Sequence, residues 1–359
     1  MRNSRYAAFS PLNTGVLCFP YSHMLNKGEI FASLTFQEWY SWHGLLKEES
    51  GKEWGIYLSY YQVVREGKVS YPYRIKLVDF EEGTVRSYED ESPNLKSEVS
   101  VEDAPLTVTY EEPGRWTIAY DSDADVWHVY FVNYEDQLSL EVSFSGNHDY
   151  VSASPSSVIT MGAPKTMNYN PLNLTGLAHR YFDPKREVLK AAVDLEAKKN
   201  RSVEESPTAM ILAGKNSWFE HQWGNFNHRG FGNETYDRFG ISVGDAFMEL
   251  DLWYNEKGDA LPGMTRMAKG ENDVVSYGQG AGVCADEILS SVEIGGKSYP
   301  VERKISIDGT DFLIRPRIKE QIVDVVRKGI DSWVGWADVY KGSFDGEPVG
   351  SAFLEIFGR

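Results

Sequence analysis

Hydrophobic and polar residues alternate along most of the chain with the period of two that is typical of β-strands. Nine short runs rich in Val, Ile, Tyr, Trp and Thr lie between residues 30 and 145, separated by clusters of Gly, Pro, Asp and Asn. A second series of nine runs extends from residue 210 to residue 357. The pattern predicts an all-β protein with two antiparallel barrels, because closing a sheet into a barrel removes its unpaired edges.

The alternation is interrupted between residues 146 and 177, where Ser, Pro, Asn and Met predominate. We predict the domain boundary here, with one barrel in residues 1–165 and a second in residues 166–359. Residues 183–200 follow a different period, since Leu189, Ala192 and Val193 share one face at helical spacing behind Pro184. They predict one short helix in the second domain.

Composition restricts the ligands that we expect. The chain has 53 acidic and 36 basic residues and a net charge of -17, which disfavours nucleic acid as a partner. Cys18 and Cys284 are the only cysteines, and the chain has none of the common metal, phosphate-loop or dinucleotide motifs, so we expect neither a metal nor a cofactor. A chain without a leader or an 18-residue apolar run is expected in the cytoplasm without membrane insertion, as a monomer or weak homodimer; removal of a secretory leader stays open.

The segment NSWFEHQWGNF, residues 216–226, concentrates groups that catalyse proton transfer beside aromatic rings. In a strand, His221 and Trp223 share one face, whereas Trp218 and Glu220 share the other. One interpretation is structural, with the tryptophans in a core and Glu220 and His221 bonded to neighbouring strands. The functional interpretation is a proton donor beside an aromatic wall, since carboxyl and imidazole groups both exchange protons near neutral pH when their surroundings favour it.

Two further segments carry candidate residues. Residues 38–64, EWYSWHGLLKEESGKEWGIYLSYYQVV, predict a hairpin whose aromatic residues either fill a barrel or line a cavity for an apolar ligand. Residues 244–258, GDAFMELDLWYNEKG, place Glu249, Asp251 and Trp253 on one strand face, which we interpret as facing solvent unless it belongs to a site.

Three segments in order along the chain resemble the two-domain lipocalin-like proteins that include carotenoid hydratases and fungal decalin-forming Diels-Alderases. The hairpin at 38–64 resembles that family's opening E-W-W-Y motif, with Tyr40 in place of a Trp. SWFEHQWGNF resembles its W-x-D-H-Q-W-G strand, and residues 336–359, WADVYKGSFDGEPVGSAFLEIFGR, resemble its closing segment. The resemblance implies two lipocalin-like barrels packed side by side and a cofactor-free apolar pocket.

The resemblance also implies residue roles and an activity. It gives His221, Glu220 and Asp251 as catalytic residues, and a substrate-binding set consisting of Trp223, Trp218, Glu38, Trp39, Trp42, Tyr40 and Trp253. The expected activity is cyclisation of an apolar polyene, terpenoid or polyketide by a Diels-Alder type pericyclase, for which positioning of the substrate lowers the barrier. The alternatives are a hydratase that adds water to an isolated alkene and a binding protein without catalytic activity.

Overall fold

The computed structural model describes the chain in segments, and every structural statement below refers to them. They are residues 36–65, 68–70, 72–90, 107–110, 115–121, 124, 126–145, 151–152, 158–160, 177–199, 201–203, 205–225, 235–244, 246–254, 260–269, 273–277, 283–307, 309–323 and 332–357. Within these segments the regular structure is entirely β, without a helix. The prediction of an all-β protein is confirmed.

Thirteen strands form the first antiparallel sheet. In chain order they are β1 (Phe36–Glu48), β2 (Glu53–Arg65), β3 (Lys68–Ser70), β4 (Tyr73–Asp79), β5 (Thr84–Asp90), β6 (Thr107–Tyr110), β7 (Arg115–Asp121), β8 (Val126–Asn133), β9 (Leu138–Ser145), β10 (Val151–Ser152), β11 (Val158–Thr160), β12 (Leu177–Asp194) and β13 (Met210–Asn225). Their main order across the sheet is β5-β4-β2-β1-β13-β12-β9-β8-β7-β6.

Contacts between distant strands show that this sheet is rolled. β2 and β7 are six positions apart in the strand order, which corresponds to roughly 28 Å across a flat sheet. The rings of Tyr60 on β2 and Trp116 on β7 nevertheless stack at 4.5 Å. Tyr73 on β4 and Phe131 on β8 approach to 5.0 Å in the same way. The sheet therefore curls around its own concave face as a half-barrel, and no pairing joins β5 to β6 in the described segments.

Ten strands form the second antiparallel sheet. They are β14 (Thr235–Val243), β15 (Ala246–Tyr254), β16 (Ala260–Lys269), β17 (Asp273–Tyr277), β18 (Val283–Ile294), β19 (Lys297–Ile307), β20 (Thr310–Pro316), β21 (Ile322–Val323), β22 (Ser332–Lys341) and β23 (Gly350–Phe357). The order is β17-β16-β15-β14-β23-β22-β20-β19-β18, with β21 beside β22.

Polar side chains cross the interior of the second sheet and show that it is rolled as well. Tyr254 on β15 and Asp286 on β18 are six positions apart in the strand order, yet the Tyr254 hydroxyl donates a 3.0 Å hydrogen bond to Asp286. Arg303 on β19 joins both of them, and its Nη1 donates to Asp237 on β14 at 2.7 Å. Apolar side chains of the same strands surround this network, among them Phe239, which lies 5.5 Å from the guanidinium.

The segment predicted to be a helix is a strand, so that prediction is wrong. Residues 177–194 form β12, which pairs with β13 on one side and with β9 on the other. Ala191, Ala192 and Val193 are each fully buried, because a central strand of this sheet is covered on both faces. Consecutive apolar residues of this kind also match helical spacing, which explains the error.

The chain divides into two compact units. Residues 1–159 and 170–227 form the first compact unit, and residues 160–169 and 228–359 form the second. β12 and β13 belong to the first unit because they fill the centre of its sheet, between β1 and β9. In the described segments, a search for helices able to cross a membrane found none.

Candidate functional site

Two of the candidate segments, residues 38–64 and residues 216–226, lie on neighbouring strands. β1 contains the start of the first segment, β13 contains most of the second, and the two strands pair in antiparallel register. Trp42 lies opposite Phe219, Ser41 opposite Glu220, and His43 opposite Trp218. Residues almost half a chain apart therefore share one local surface.

The concave face of this strand pair belongs to the core. Trp42 and Phe219 are both buried there, with the Trp42 ring 5.7 Å from Phe144 and the Phe219 ring 4.4 Å from Trp127. Tyr40 lies in the same cluster, 6.4 Å from Phe219. Aromatic rings thus fill the described interior of the first half-barrel, and two of the predicted binding residues, Trp42 and Tyr40, pack there.

The opposite face of the same strands carries polar groups, which we call the polar strip. It consists of two rows of directly paired residues across β4, β2, β1 and β13, and its members are Lys76, Tyr57, His43 and Trp218 in the first row and Arg74, Ser59, Ser41 and Glu220 in the second. The neighbours of these residues along each strand, such as Ile75, Leu77 and Leu58, point into the core. Strand alternation therefore places the strip on the convex face.

The polar strip is buried although it lies outside the aromatic core. Glu220 is 1% exposed, His43 is 7% exposed, and Lys76 is fully buried. Buried ionisable groups are costly unless other groups compensate them, so a sequence keeps them where they have a structural or chemical task.

Contacts within the strip fix its side chains. The rings of His43 and Trp218 lie 5.2 Å apart, and the hydroxyls of Ser41 and Ser59 approach to 3.2 Å. Burial lowers the pKa of the Lys76 ammonium well below its ordinary value, and attraction to Glu89 on the adjacent β5 opposes this decrease. Glu220 is a diagonal neighbour of His43 across the strand pair, which corresponds to a separation of about 7–8 Å between their Cα atoms.

The edge of the strip is aromatic. Trp39 on β1, which is 8% exposed, lies 5.8 Å from the ring of Tyr61 on β2. The guanidinium of Arg74 lies 5.6 Å from the same tyrosine ring. Trp39 and Trp218 are thus the predicted binding residues that the structure places beside the titratable groups.

Other predicted residues have backbone positions only. His221 pairs with Tyr40 on one side and Tyr181 on the other, and Trp223 pairs with Glu38 and His179. The side chains of Glu38, His221 and Trp223 lie outside those that the structure describes. Their predicted roles stay predictions.

The candidate segment at residues 244–258 contains β15 of the second unit. Met248 and Leu250 face the core of that unit, as the alternation predicts, whereas the side chains of Asp251 and Trp253 are not described. Glu249, for which we expected solvent, is 2% exposed and forms an ion pair with Arg238, with 3.3 Å between Oε1 and Nε. That expectation is wrong for Glu249, because a buried cation from β14 compensates its charge.

Sequence reasoning missed His43, Lys76 and Arg74 as members of a site. Alternation alone cannot separate a buried polar face from a solvated one, so Arg74 and Lys76 resembled ordinary surface charges. Arg303 was also missed, although a signal exists for it. It occurs in phase with Tyr299, Val301 and Ile305 on β19, and a charge in the apolar phase of a strand indicates a buried polar network.

The polar strip combines a carboxyl, an imidazole and an amine beside indole and phenol rings. This set can transfer protons to and from an apolar molecule and can hold it by aromatic contact. In the described segments, no group of three or more His, Cys, Asp or Glu side chains is arranged to hold a metal ion. Carboxyl, imidazole and amine groups support acid–base and nucleophilic chemistry.

Solved structures resemble the chain over nearly its whole length. A protein assigned as AttH from Nitrosomonas europaea matches with a TM-score of 0.74 and 14% identity, covering 97% of this chain and 99% of the other. Kievitone hydratase from Nectria haematococca matches with a TM-score of 0.62 and 14% identity, covering 98% of each chain. No family model and no curated protein matches the sequence. At this identity the likeness shows the fold, which is lipocalin-like.

Proposed function

We propose that the chain is a cofactor-independent hydratase that adds water to a carbon–carbon double bond of an apolar small molecule, with the polar strip as its active site. The observation that carries the proposal is the burial of Glu220 and His43 one diagonal step apart, beside Trp218. Hydration needs an acid and a base on either side of one alkene and one water molecule. The diagonal register places the two side chains on the same face of the sheet, on neighbouring strands.

In this mechanism one member of the pair formed by Glu220 and His43 is the acid and the other is the base. One member gives the proton to an alkene carbon, and the cationic carbon that results faces the indole of Trp218, whose ring electrons favour positive charge. Water attacks that carbon, and the other member of the pair accepts the proton that the water releases. Proton exchange through the paired hydroxyls of Ser41 and Ser59 restores the starting state, so the net change is addition of water.

The fold neighbour kievitone hydratase supports hydration over the other activities considered. Cyclisation is kept as a second outcome of the test because the sequence segments resemble both subfamilies. The two reactions differ in mass, since hydration adds one water to the product and cyclisation leaves the mass unchanged.

The test measures turnover by mass spectrometry with kievitone and with acyclic carotenoid and terpenoid alkenes as probes. We expect Glu220→Gln and His43→Gln each to lower kcat by about 10²-fold or more, since each removes a proton-transfer group. The matched controls are Glu141→Gln and His128→Gln on β9 and β8, outside the strip, which should keep wild-type turnover. Melting temperatures identify variants that lose activity by unfolding.

Three results would contradict the proposal. Wild-type turnover in a folded Glu220→Gln variant would show that the polar strip is not the active site. Loss of rate in His221→Ala, with only a loss of stability in Glu220→Gln, would place the site on the other face of β13. A product with unchanged mass would identify the chain as a cyclase.

A further inference from the structure

We propose that Lys76 forms an imine with the carbonyl group of its substrate, so that the polar strip acts on apolar α,β-unsaturated aldehydes or ketones. The inference rests on the proposed function for the identity of the strip as the active site. It adds a covalent step and a substrate class, and it assigns a role to a buried amine that the hydration mechanism does not use.

Position is the first argument. Lys76 pairs with Tyr57, which pairs with His43, which pairs with Trp218, so these four residues form one row. The backbone of β4 lies about 10 Å from that of β1, given two strand spacings. A conjugated molecule attached to the amine can therefore extend along the row toward His43 and Glu220.

The environment of the amine is the second argument. The side chain is fully buried, and the next residues along the strand, Ile75 and Leu77, pack in the core. Burial lowers the pKa of the Lys76 ammonium, which favours the unprotonated amine, and only this form has the lone pair that attacks a carbonyl carbon. The other titratable or charged groups at this place are Glu89 on β5, Arg74 on β4 itself, Tyr57 on β2 and His43 on β1.

The step balances without a further reactant. The amine nitrogen adds to the carbonyl carbon, and the resulting carbinolamine takes one proton from the acid–base pair and loses water to give a protonated imine. This cation withdraws electrons from the conjugated double bond, so that water adds at the β-carbon, the proton that this water releases returns to the acid–base pair, and an enamine forms. The pair then protonates the α-carbon of the enamine, which restores the protonated imine. Hydrolysis of this imine consumes one water, returns one proton to the pair, frees Lys76 and leaves the β-hydroxy carbonyl product.

A second lysine of the same unit provides a contrast. The ammonium of Lys52 lies 2.6 Å from Asp79, and the hydrogen bond to this carboxylate raises its pKa. Lys52 therefore stays protonated and is a poor nucleophile at neutral pH. Lys47 serves as an exposed reference, because its side chain is 61% exposed and paired only with Glu53 at the surface.

The experiment traps the imine in the full-length protein. Cinnamaldehyde, an apolar conjugated aldehyde, is added at pH 7 with sodium cyanoborohydride, and peptide mapping locates the reduced adduct. We expect one adduct per chain at Lys76, formed at least about tenfold faster than adducts at Lys47, since only unprotonated amines react. Lys76→Met should lose this adduct, whereas Lys52→Met should keep it.

The outcomes separate this inference from the proposed function. Glu220→Gln should still form the adduct, because trapping needs no hydration. An adduct at Lys76 without hydration of any probe supports the imine and contradicts the hydratase. Hydration at the wild-type rate by Lys76→Met overturns the imine alone. Should Lys76→Met fail to fold, the wild-type labelling rates decide, and equal rates at Lys76 and Lys47 overturn the inference.

Discussion

Replacing Arg303 by methionine should destabilise the second unit strongly. All five N–H groups of this guanidinium have acceptors: Asp237, both carboxylate oxygens of Asp286, the Tyr254 hydroxyl and the Pro300 carbonyl. Methionine removes all five hydrogen bonds and leaves Asp237 fully buried without the guanidinium that compensates its charge. Breaking a buried ion pair on one side costs about 3–5 kcal/mol, because the remaining charge is uncompensated.

The number of residues in the unit determines how far this loss of free energy shifts the melting temperature. The second unit has roughly 140 residues, for which 1 kcal/mol corresponds to about 3 °C. Arg303→Met should therefore melt about 10–15 °C below the wild type in differential scanning calorimetry. Arg315→Met is the matched control, because Arg315 is 46% exposed and its ion pair with Glu302 contributes about 1 kcal/mol or less.

A double variant tests the reason for the loss. In Arg303→Met/Asp237→Leu both buried charges are removed, and Asp286, which is partly exposed, keeps contact with water. We expect the double variant to recover most of the lost stability, since apolar replacements of buried pairs are often well tolerated. A single variant that melts within about 3 °C of the wild type, or a double variant less stable than the single one, would refute this reasoning.

Three further predictions concern stability and binding. Burial raises the pKa of Asp194, but hydrogen bonds from Ser206, the Glu196 amide, Thr208 and Arg201 outweigh it, so the net pKa is lowered. The stability that Asp194 contributes is therefore present above its unfolded pKa of about 3.9 and is lost as the pH falls through the lower folded value. In urea unfolding, Asp194→Asn should be less stable than the wild type at pH 7. The difference should decrease progressively below pH ~4. Gly350→Ala should lower the melting temperature by an amount equivalent to about 2 kcal/mol or more, since its Cβ would collide with the Ser242 carbonyl, whereas Gly346→Ala, with open space around it, should not. Trp42→Leu should lose about 2–4 kcal/mol of stability in urea unfolding and leave the probe affinity unchanged if Trp42 only fills the core.

Local patterns predicted much of the fold. Alternation and flanking turn residues predict strands over residues 53–65 and 138–145, and β2 and β9 have these bounds. β12 was not predictable in this way, since its consecutive residues Ala191, Ala192 and Val193 are all buried and a strand buried on both faces loses its alternation. The position of β12 and β13 in the first sheet was not predictable from local patterns either, because it depends on pairing between distant segments.

The candidate site was predicted in part. Trp39, Trp218 and Glu220 were selected from the sequence, and the register places Trp39 on one side of Glu220 and Trp218 on the other. Lys76 and Arg74 could not be selected, because burial of a convex face depends on what covers it and not on the strand itself. The site roles of His221 and Asp251 stay predictions.

The insertion of β12 and β13 into the centre of the first sheet has a consequence for how the protein is made. Tyr40 pairs with His221, about half the chain away, so β1 leaves the ribosome long before its partner exists. Until residue 225 is synthesised, β1 and β9 are open edges with a row of unpaired backbone groups. Folding of the first unit must wait for these distant pairings, which makes it slow and exposes nascent chains to aggregation. Expression of residues 1–165 alone should therefore yield insoluble protein, and chaperone supply should limit the yield of the whole chain.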